Sequence, residues 1–225
     1  MITQKERYKA VIEYFQKERP TAKSELNYNN PFELLVAVIL SAQCTDVRVN
    51  MITPNLFKLY PSAIELSKAS IEDVYQIIKS VSYPNNKAKH LVSMAKKLVE
   101  KFNNQVPDNV DKLQELDGVG RKTANVITAV IYNQPNMPVD THVFRVSARI
   151  GLTKNAKTPL ETEKQLVKNF PKELMPIAHH WLILHGRYVC VAKKPKCIDC
   201  GLKEVCNYYL LPPKETENIK TKIKK

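Results

Sequence analysis

Four cysteines lie within seventeen residues near the C-terminus, in the spacing C-x6-C-x2-C-x5-C: Cys190, Cys197, Cys200 and Cys206. The rest of the chain contains one more cysteine, Cys44. Four thiolates this close together can enclose one metal centre, which is either zinc or an iron–sulfur cluster. Zinc ribbons usually contain two C-x2-C pairs, whereas this segment has one pair flanked by single cysteines. The spacing therefore favours an iron–sulfur cluster, with zinc as the alternative and a pair of disulfides as the least favoured interpretation.

A lysine follows a glycine-rich turn in the middle of the chain, in the sequence LDGVGRKTA of residues 116–124. Gly118 and Gly120 permit positive φ angles and a tight turn between two helices, and they leave the N–H groups of the second helix open to an anion such as a DNA phosphate. An ordinary turn between helices is the alternative. Lys122 could act as a Schiff-base nucleophile if desolvation, Arg121 and the helix N-terminus favour its neutral amine. Pairing with a phosphate is the other interpretation of Lys122.

A carboxylate follows this lysine after 18 residues, at Asp140. Pro135 and Pro138 exclude one continuous helix between Lys122 and Asp140, so the chain must turn back and the two side chains can meet. A carboxylate there could accept the amine's proton and stabilise positive charge that develops on a sugar. Asp140 could instead cap a helix that begins at Thr141, and the two roles are compatible.

The chain of 225 residues carries 35 Lys and Arg against 22 Asp and Glu, which gives a net charge of +13. An excess of this size favours binding to a polyanion such as nucleic acid. The excess is strongest in residues 187–225, and residues 212–225 are predicted to be a basic tail. No apolar run is long enough to cross a bilayer and the N-terminus does not resemble a signal peptide, so we expect a cytoplasmic protein with no membrane partner. In a bacterium it would be associated with the nucleoid.

Hydrophobic positions recur with the helical period of 3.6 residues through most of the chain, and the alternation typical of strands is not found. An all-α protein is therefore predicted. Thr3 and Glu6 have the spacing of a capping box for a first helix. Residues 32–42 are apolar on nearly all sides, which predicts a helix buried in a bundle. Further helices are predicted at residues 71–81, 86–103, 109–116, 122–133, 141–150, 160–170 and 173–189.

Several motifs together resemble a known family. LDGVGRKTA resembles the hairpin of the helix-hairpin-helix DNA glycosylases, and residues 137–146 (MPVDTHVFRV) resemble their proline-rich loop and aspartate. The cysteine spacing and residues 31–35, 41–46 and 179–187 extend the likeness over nearly the whole chain. The chain thereby closely resembles the endonuclease III family, within the HhH-GPD superfamily of base-excision DNA glycosylases.

The resemblance implies a fold of two helical lobes around a DNA-binding cleft. Residues 24–133 would form a helical-bundle domain that contains the hairpin. Residues 1–23 and 134–225 would together form an iron–sulfur domain, with residues 187–206 as the cluster loop. The implied cofactor is a [4Fe-4S] cluster held by the four cysteines, and we expect it to organise the protein and its DNA rather than to catalyse the reaction.

The resemblance also implies a bifunctional enzyme of base-excision repair, a DNA N-glycosylase and abasic-site lyase that acts as a monomer. Its partner would be double-stranded DNA with a damaged base or an abasic site. It would remove oxidised pyrimidines through a Schiff base of Lys122, assisted by Asp140, and cleave the strand 3′ to the abasic site by β-elimination. Gln43 and Tyr83 would fill the space left by the flipped nucleotide. The other residues expected to contact DNA are Gly118, Gly120, Arg121, Thr123, His142, Arg187, Lys193 and Lys194.

Two positions depart from the family's pattern. Asp117 stands where the family usually has proline, which predicts a looser hairpin. Tyr83 occupies the position of the family's wedge residue, where it would alter the preference for the lesion or the opposite base.

Two other functions stay open. The first is a monofunctional glycosylase of the same fold, such as an adenine-mismatch glycosylase. That branch of the family lacks the hairpin lysine and has a glutamate on the buried helix. This chain differs on both points, because it has Lys122 and residues 37–41 contain no acid. A non-catalytic, redox-active DNA-binding module would show no covalent chemistry at Lys122.

Overall fold

The computed structural model describes residues 2–211 of the chain. All regular secondary structure in this range is helical, which confirms the predicted all-α class, and none of these helices is long and apolar enough to cross a membrane. Residues 212–225, the predicted basic tail, lie outside the described residues. The α-helices are α1 (Gln4–Glu18), α2 (Pro31–Ser41), α3 (Asp46–Leu59), α4 (Ala63–Ser67), α5 (Ile71–Ile78), α6 (Pro84–Phe102), α7 (Val110–Gln114), α8 (Arg121–Tyr132), α9 (Thr141–Ile150), α10 (Pro159–Asn169), α11 (Met175–Tyr188) and α12 (Asn207–Leu210).

The chain divides into two compact units. Residues 24–133 form one unit, which contains α2 to α8. The other unit combines residues 1–23 with residues 134–225, of which the structure describes 2–23 and 134–211. It contains α1 and α9 to α12.

The unit of residues 24–133 is built around α2, which is buried from Glu33 to Leu40. The helix begins where the side chain of Asn30 accepts a hydrogen bond from Glu33 N at 2.9 Å and Pro31 occupies the first helical position, a combination that favours helix initiation. α3, α6 and α8 pack against α2. Full burial of each of its Leu, Val or Ile side chains is worth roughly 1.5–3 kcal/mol. The prediction of a buried helix is confirmed here.

α6 is the longest helix among the described residues, and one of its faces is buried in the core of this unit. That face carries the residues Ala88, Leu91, Ala95 and Leu98. α2, α4 and α5 pack against α6. The helix starts directly after Tyr83, so one rigid element connects the loop of Tyr83 with the interior of the unit.

The other unit is organised by α1, α9 and α11. Phe15 of α1 stacks on Trp181 of α11 with ring centroids 5.7 Å apart, and Trp181 Nε1 donates to the carbonyl oxygen of Arg19 at 2.8 Å.

The predicted capping box is present at the start of α1. Glu6 N donates to Thr3 Oγ1 at 3.2 Å, and Thr3 N donates to Glu6 Oε2 at 2.8 Å.

Some helix boundaries differ from the predicted ones. The sequence pattern does not predict α3 and α4, and α3 contains Pro54 in its interior, where proline normally disrupts a helix. The helix predicted at residues 71–81 ends at Ile78 and is followed by a turn. α6 begins at Pro84, earlier than predicted, since proline is well tolerated at the first helical position.

Candidate functional site

The glycine-rich turn joins α7 to α8 in the unit of residues 24–133. Gly118 has a φ of +78°, and a Cβ added there would lie 3.1 Å from His90 Cβ. Gly120 has a φ of −86° and ψ of 175°, an extended backbone that any residue can adopt, and an added Cβ would meet no atom within 4 Å. Gly118 therefore adopts the positive φ that glycine permits, whereas Gly120 does not.

The first turn of α8 carries the candidate nucleophile. Gly120 is the N-cap residue and provides no side chain to cap the helix, so the first amide groups of α8 receive no side-chain cap. Arg121 and Lys122 are exposed, and Thr123 is half-buried. An uncapped helix N-terminus next to exposed cations is suited to an anion such as a DNA phosphate.

Asp117 does not loosen the hairpin, contrary to the expectation from the sequence. Its Oδ2 accepts a hydrogen bond from Ser93 Oγ at 2.5 Å and lies 3.1 Å from Lys97 Nζ, and both partners belong to α6. The hydrogen bonds from Ser93 and Lys97 lower the pKa of Asp117. Polar contacts to α6 therefore anchor the hairpin at the position where the family usually has a proline ring.

Gln43 and Tyr83 lie on two loops that are joined to each other. Both side chains are exposed, Tyr83 by 62%, so neither belongs to the core of the unit. Ser82 Oγ donates to the carbonyl oxygen of Gln43 at 2.7 Å. Both residues have left-handed backbone angles, with φ of 55° at Gln43 and 56° at Tyr83.

A buried lysine supports the same two loops. Lys87, in the first turn of α6, is 5% exposed, and its Nζ donates to the carbonyl oxygens of Leu40 at 2.7 Å and Ala42 at 2.6 Å. Burial lowers the pKa of Lys87. Its partners are carbonyl groups at the C-terminal end of α2, the negative end of that helix dipole. Lys87 therefore fixes the chain just before Gln43.

Asp140 is the N-cap of α9, in the other unit. Its Oδ1 accepts a hydrogen bond from Val143 N at 2.7 Å, and its side chain remains half-buried. The capping role considered for Asp140 is confirmed. One carboxylate oxygen is sufficient for the cap, so the second is available for another contact.

His142 lies on the first turn of α9. It is half-buried, its Nδ1 is 3.2 Å from Arg145 Nη2, and burial lowers its pKa. Arg145 itself is buried and donates to the carbonyl oxygens of Gly186 at 2.8 Å and Cys190 at 3.1 Å. α9 is therefore tied to the end of α11 and to the first of the four clustered cysteines.

The four clustered cysteines line a single pocket. All four are free thiols: Cys190, Cys197, Cys200 and Cys206. The rest of the lining includes the apolar Leu202, the cations Lys196 and Lys203, and the aromatic residues His185, Tyr208 and Tyr209. The disulfide interpretation is therefore not supported in this structure.

Burial and a nearby arginine have opposite effects on the protonation of the thiols in this pocket. Burial raises the pKa of Cys206 to about 11 and also raises the pKa values of Cys197 and Cys200. A metal centre must displace these protons, and nearby cations stabilise the resulting thiolates. Arg149 is such a cation, since its Nη1 lies 3.5 Å from Cys190 Sγ.

The arrangement of the thiols bears on which metal centre they could hold. Within residues 2–211, no three His, Cys, Asp or Glu side chains form a group that could hold one metal ion. The four thiols nevertheless surround a common space, as the ligands of a multi-iron cluster would. Four thiols are a donor set that either a zinc ion or an iron–sulfur cluster can use.

The segment between the first two of these cysteines carries exposed lysines. Lys193 and Lys194 are both exposed, and Lys194 has a φ of 52°. Arg187, near the end of α11, is half-buried and participates in contacts within the protein. The lysines are therefore placed to face a polyanion, whereas Arg187 is partly engaged inside the unit.

Sequence reasoning missed three positively charged residues that support the candidate site. Arg145 and Arg149 lie four residues apart on one face of α9, and both hold the segment that starts at Cys190. The spacing of four residues between these two arginines, within a predicted helix, was the signal in the sequence that they share one face. Lys87 lies within the helix predicted at residues 86–103, but nothing in the sequence assigned it a contact.

Comparisons with known proteins show the family to which the chain belongs. Residues 36–172 match the model of the HhH-GPD superfamily base excision DNA repair protein. Endonuclease III of Rickettsia felis (strain ATCC VR-1525 / URRWXCal2) is 45% identical over 202 residues, which cover 90% of this chain and 94% of that protein. The chain belongs to the endonuclease III family. A second member, endonuclease III of Bacillus subtilis (strain 168), is 45% identical over 187 residues, 83% of this chain and 85% of that protein.

A solved structure of an endonuclease III extends the match to the fold. The trapped endonuclease III–DNA covalent intermediate with an estranged adenine superposes with a TM-score of 0.87 at 42% sequence identity. The match covers 93% of this chain and 98% of that one. The helix-hairpin-helix glycosylase fold implied by the resemblance is thereby confirmed.

Proposed function

We propose that this endonuclease III family protein is a bifunctional DNA glycosylase and abasic-site lyase that removes oxidised pyrimidines from double-stranded DNA. The observation that carries the proposal is the position of Lys122. It is exposed in the first turn of α8, directly after the hairpin, in a chain 42% identical to an endonuclease III that was trapped covalently on DNA.

In the first chemical stage, Lys122 is the nucleophile. Its neutral amine attacks C1′ of the flipped nucleotide, the C1′–N bond breaks, and the base leaves with the bonding electron pair. The carboxylate of Asp140 accepts the proton that the attacking amine loses and stabilises positive charge on the sugar. The second oxygen of Asp140 can do this while the first caps α9.

The second stage breaks the strand. Opening of the sugar ring gives an imine between C1′ and Lys122, which acidifies the hydrogens on C2′. Loss of one C2′ proton then expels the 3′ phosphate oxygen with the electrons of the C3′–O bond. The strand is cleaved on the 3′ side of the abasic site, and water releases Lys122 from the imine.

DNA binding is assigned to exposed or half-buried residues of both units. The hairpin residues Gly118, Gly120, Arg121 and Thr123 would bind backbone phosphates through the first amides of α8. Gln43 and Tyr83 would fill the space of the flipped nucleotide. His142, Arg187, Lys193 and Lys194 would add contacts to phosphate. The protein would act as a monomer.

A [4Fe-4S] cluster is the proposed cofactor of the pocket. Cys190, Cys197, Cys200 and Cys206 would hold it, because all four thiols line one space that is bordered by cations. The bound cluster would cross-link the loop and provide a redox-active centre. We assign it no step of base excision, and its main effect would be to fix the lysines between the first two cysteines.

Borohydride trapping tests the proposed chemistry. The purified protein would be incubated with a duplex that carries one abasic site, in parallel with Lys122→Ala and Lys112→Ala. Lys112 is an exposed lysine on α7, before the hairpin. We expect a covalent adduct with the wild type and Lys112→Ala, and none with Lys122→Ala. Borohydride reduces the imine between the nucleophilic lysine and the sugar to a stable amine, so only a protein that forms the imine stays attached to the DNA.

Two outcomes would contradict the proposal. An adduct of normal yield with Lys122→Ala would place the nucleophile elsewhere. A wild type that binds the duplex but gives neither an adduct nor a cleaved strand would favour a monofunctional glycosylase or a non-catalytic binding module.

A further inference from the structure

The two loops that carry Gln43 and Tyr83 are both held in a strained backbone conformation. Their φ values of 55° and 56° lie in the left-handed region, which residues with a Cβ atom rarely adopt. Such conformations persist only where the surrounding structure holds them in place. Both side chains are nevertheless exposed, so side-chain burial does not provide this restraint.

A hydrogen bond between the loops provides part of the restraint. Ser82 Oγ donates to the carbonyl oxygen of Gln43 at 2.7 Å. Ser82 is the residue directly before Tyr83, so the bond connects the backbone of one strained residue to the neighbour of the other. It joins positions that are 39 residues apart in the chain.

Lys87 provides a second restraint on the same pair. Its backbone N–H donates to the carbonyl oxygen of Tyr83 at 3.1 Å, while its Nζ binds the carbonyl oxygens of Leu40 and Ala42. One residue thus contacts both loops, through its backbone on one side and its side chain on the other. Because Lys87 is 5% exposed and belongs to α6, this connection is anchored in the core of the unit.

We infer that Ser82 and Lys87 are positioning residues that hold the loops of Gln43 and Tyr83 as one rigid, gap-filling element. The inference rests on the proposed function, in which these two side chains occupy the space of the flipped nucleotide. A side chain that is already ordered loses less conformational freedom when it enters the duplex. The restraints therefore favour extrusion of the nucleotide and act on the chemistry only through Gln43 and Tyr83.

Two substrates separate this role from a general structural one. A base that is still stacked must be unpaired and unstacked before excision, whereas an abasic site has no base to extrude. A loosened element should therefore slow excision of an oxidised pyrimidine more than it slows cleavage at an abasic site. A variant with a damaged fold would lose both activities to the same extent.

Ser82→Ala is the principal test, with Ser80→Ala as the matched control. The Ser82 change removes the hydroxyl but leaves the Gln43 carbonyl at an exposed residue, where water can replace the lost donor. Ser80 is exposed in the same turn. Single-turnover rates would be measured on a duplex with one oxidised pyrimidine and on the same duplex with an abasic site.

We expect Ser82→Ala to lower the excision rate about fivefold, as for the loss of one useful hydrogen bond, and to change abasic-site cleavage by less than about twofold. Ser80→Ala should leave both rates unchanged. Equal losses on the two substrates, or an unchanged excision rate in Ser82→Ala, would overturn the inference. A wild type that acts on neither substrate would overturn the proposed function itself, and the inference with it.

A double-mutant cycle gives an independent check. Because Ser82 acts through Gln43, Ser82→Ala should cost little additional activity in a Gln43→Ala background. Lys87→Met should show the same selective loss of excision if it folds, as judged by its circular dichroism and unfolding curve. Fully additive effects of Ser82→Ala and Gln43→Ala would contradict the positioning role.

Discussion

Lys97 and Asp117 form an ion pair, with Nζ 3.1 Å from Oδ2, that ties the hairpin to α6. Ser93 adds a hydrogen bond to the same carboxylate oxygen. The side chains of Lys97 and Asp117 are 33% and 37% exposed, so solvent screens part of their attraction. The polar contacts nevertheless fix the chain three residues before Gly120, where a proline ring would otherwise restrict it.

Asp117→Asn should lower the free energy of unfolding at neutral pH by at most about 1 kcal/mol. The pKa of Asp117 is lowered in the folded protein, so its contribution is complete above the pKa of the unfolded chain, about 3.9. It is lost as the pH falls through the lower, folded-state pKa. Urea unfolding of both proteins at pH 7 and at a series of lower pH values should therefore show a difference that decreases below about pH 4 and disappears only below the folded-state pKa of Asp117.

The pair of Lys101 and Glu115 provides a control for this prediction. It is longer, at 3.9 Å, and both side chains are more than half exposed. Glu115→Gln should change the stability by less than about 0.5 kcal/mol at either pH. A stability difference for Asp117→Asn that grows in acid would contradict the role assigned to the carboxylate.

Gly118 and Gly120 should respond differently to alanine. Gly118→Ala requires a positive φ and places a methyl group against His90, so it should cost about 1–3 kcal/mol of stability. Gly120→Ala should cost less than about 1 kcal/mol, because its backbone is extended and the space around it is open. The added methyl group should instead weaken DNA binding, since it stands beside the uncapped amides of α8. Thermal unfolding and a DNA titration of both variants separate the two effects.

A result in which both alanine variants were equally stable would contradict the assigned backbone strain at Gly118. Unchanged DNA affinity in Gly120→Ala would instead remove Gly120 from the proposed interface.

Local sequence patterns predict much of this fold. The helical period predicts α2, α6 and α9 because each has an apolar face or core that recurs along the chain. The capping box of Thr3 and Glu6 depends only on a spacing of three residues, so it can also be read directly. The family of the protein followed from short motifs, whereas the assigned roles of Lys122 and Asp140 stay predictions.

Contacts between distant residues could not be predicted in this way. Lys87 binds carbonyl groups more than forty residues earlier in the chain, and Arg149 binds carbonyl groups that follow Cys190. In both cases the partner is a backbone oxygen, which every residue has, so no pair of residue types marks the contact. α3 was missed for a different reason, because packing against α2 stabilises a helix despite Pro54.

Asp140→Asn should separate the catalytic role from the capping role. Asparagine is also a good N-cap, so the variant should keep the bond to Val143 N and unfold within about 0.5 kcal/mol of the wild type. It cannot accept the amine's proton, so excision should fall by a factor of about 100 or more. Asp140→Ala should lose the same activity and about 1 kcal/mol of stability in addition. Near-normal excision by Asp140→Asn would exclude the carboxylate from proton transfer.

Replacement of a single clustered cysteine should remove the proposed cofactor. The wild type, purified without oxygen, should be yellow-brown and contain about four iron and four sulfide ions per chain. Cys197→Ser should lose visible absorption and iron, whereas Cys44→Ser should keep both, because Cys44 lies in the other unit and outside the pocket. DNA affinity should fall in Cys197→Ser, since Lys193 and Lys194 lose the cross-link that holds their loop. A colourless wild type that contains zinc, or an unchanged iron content in Cys197→Ser, would contradict the assignment of a four-cysteine cluster.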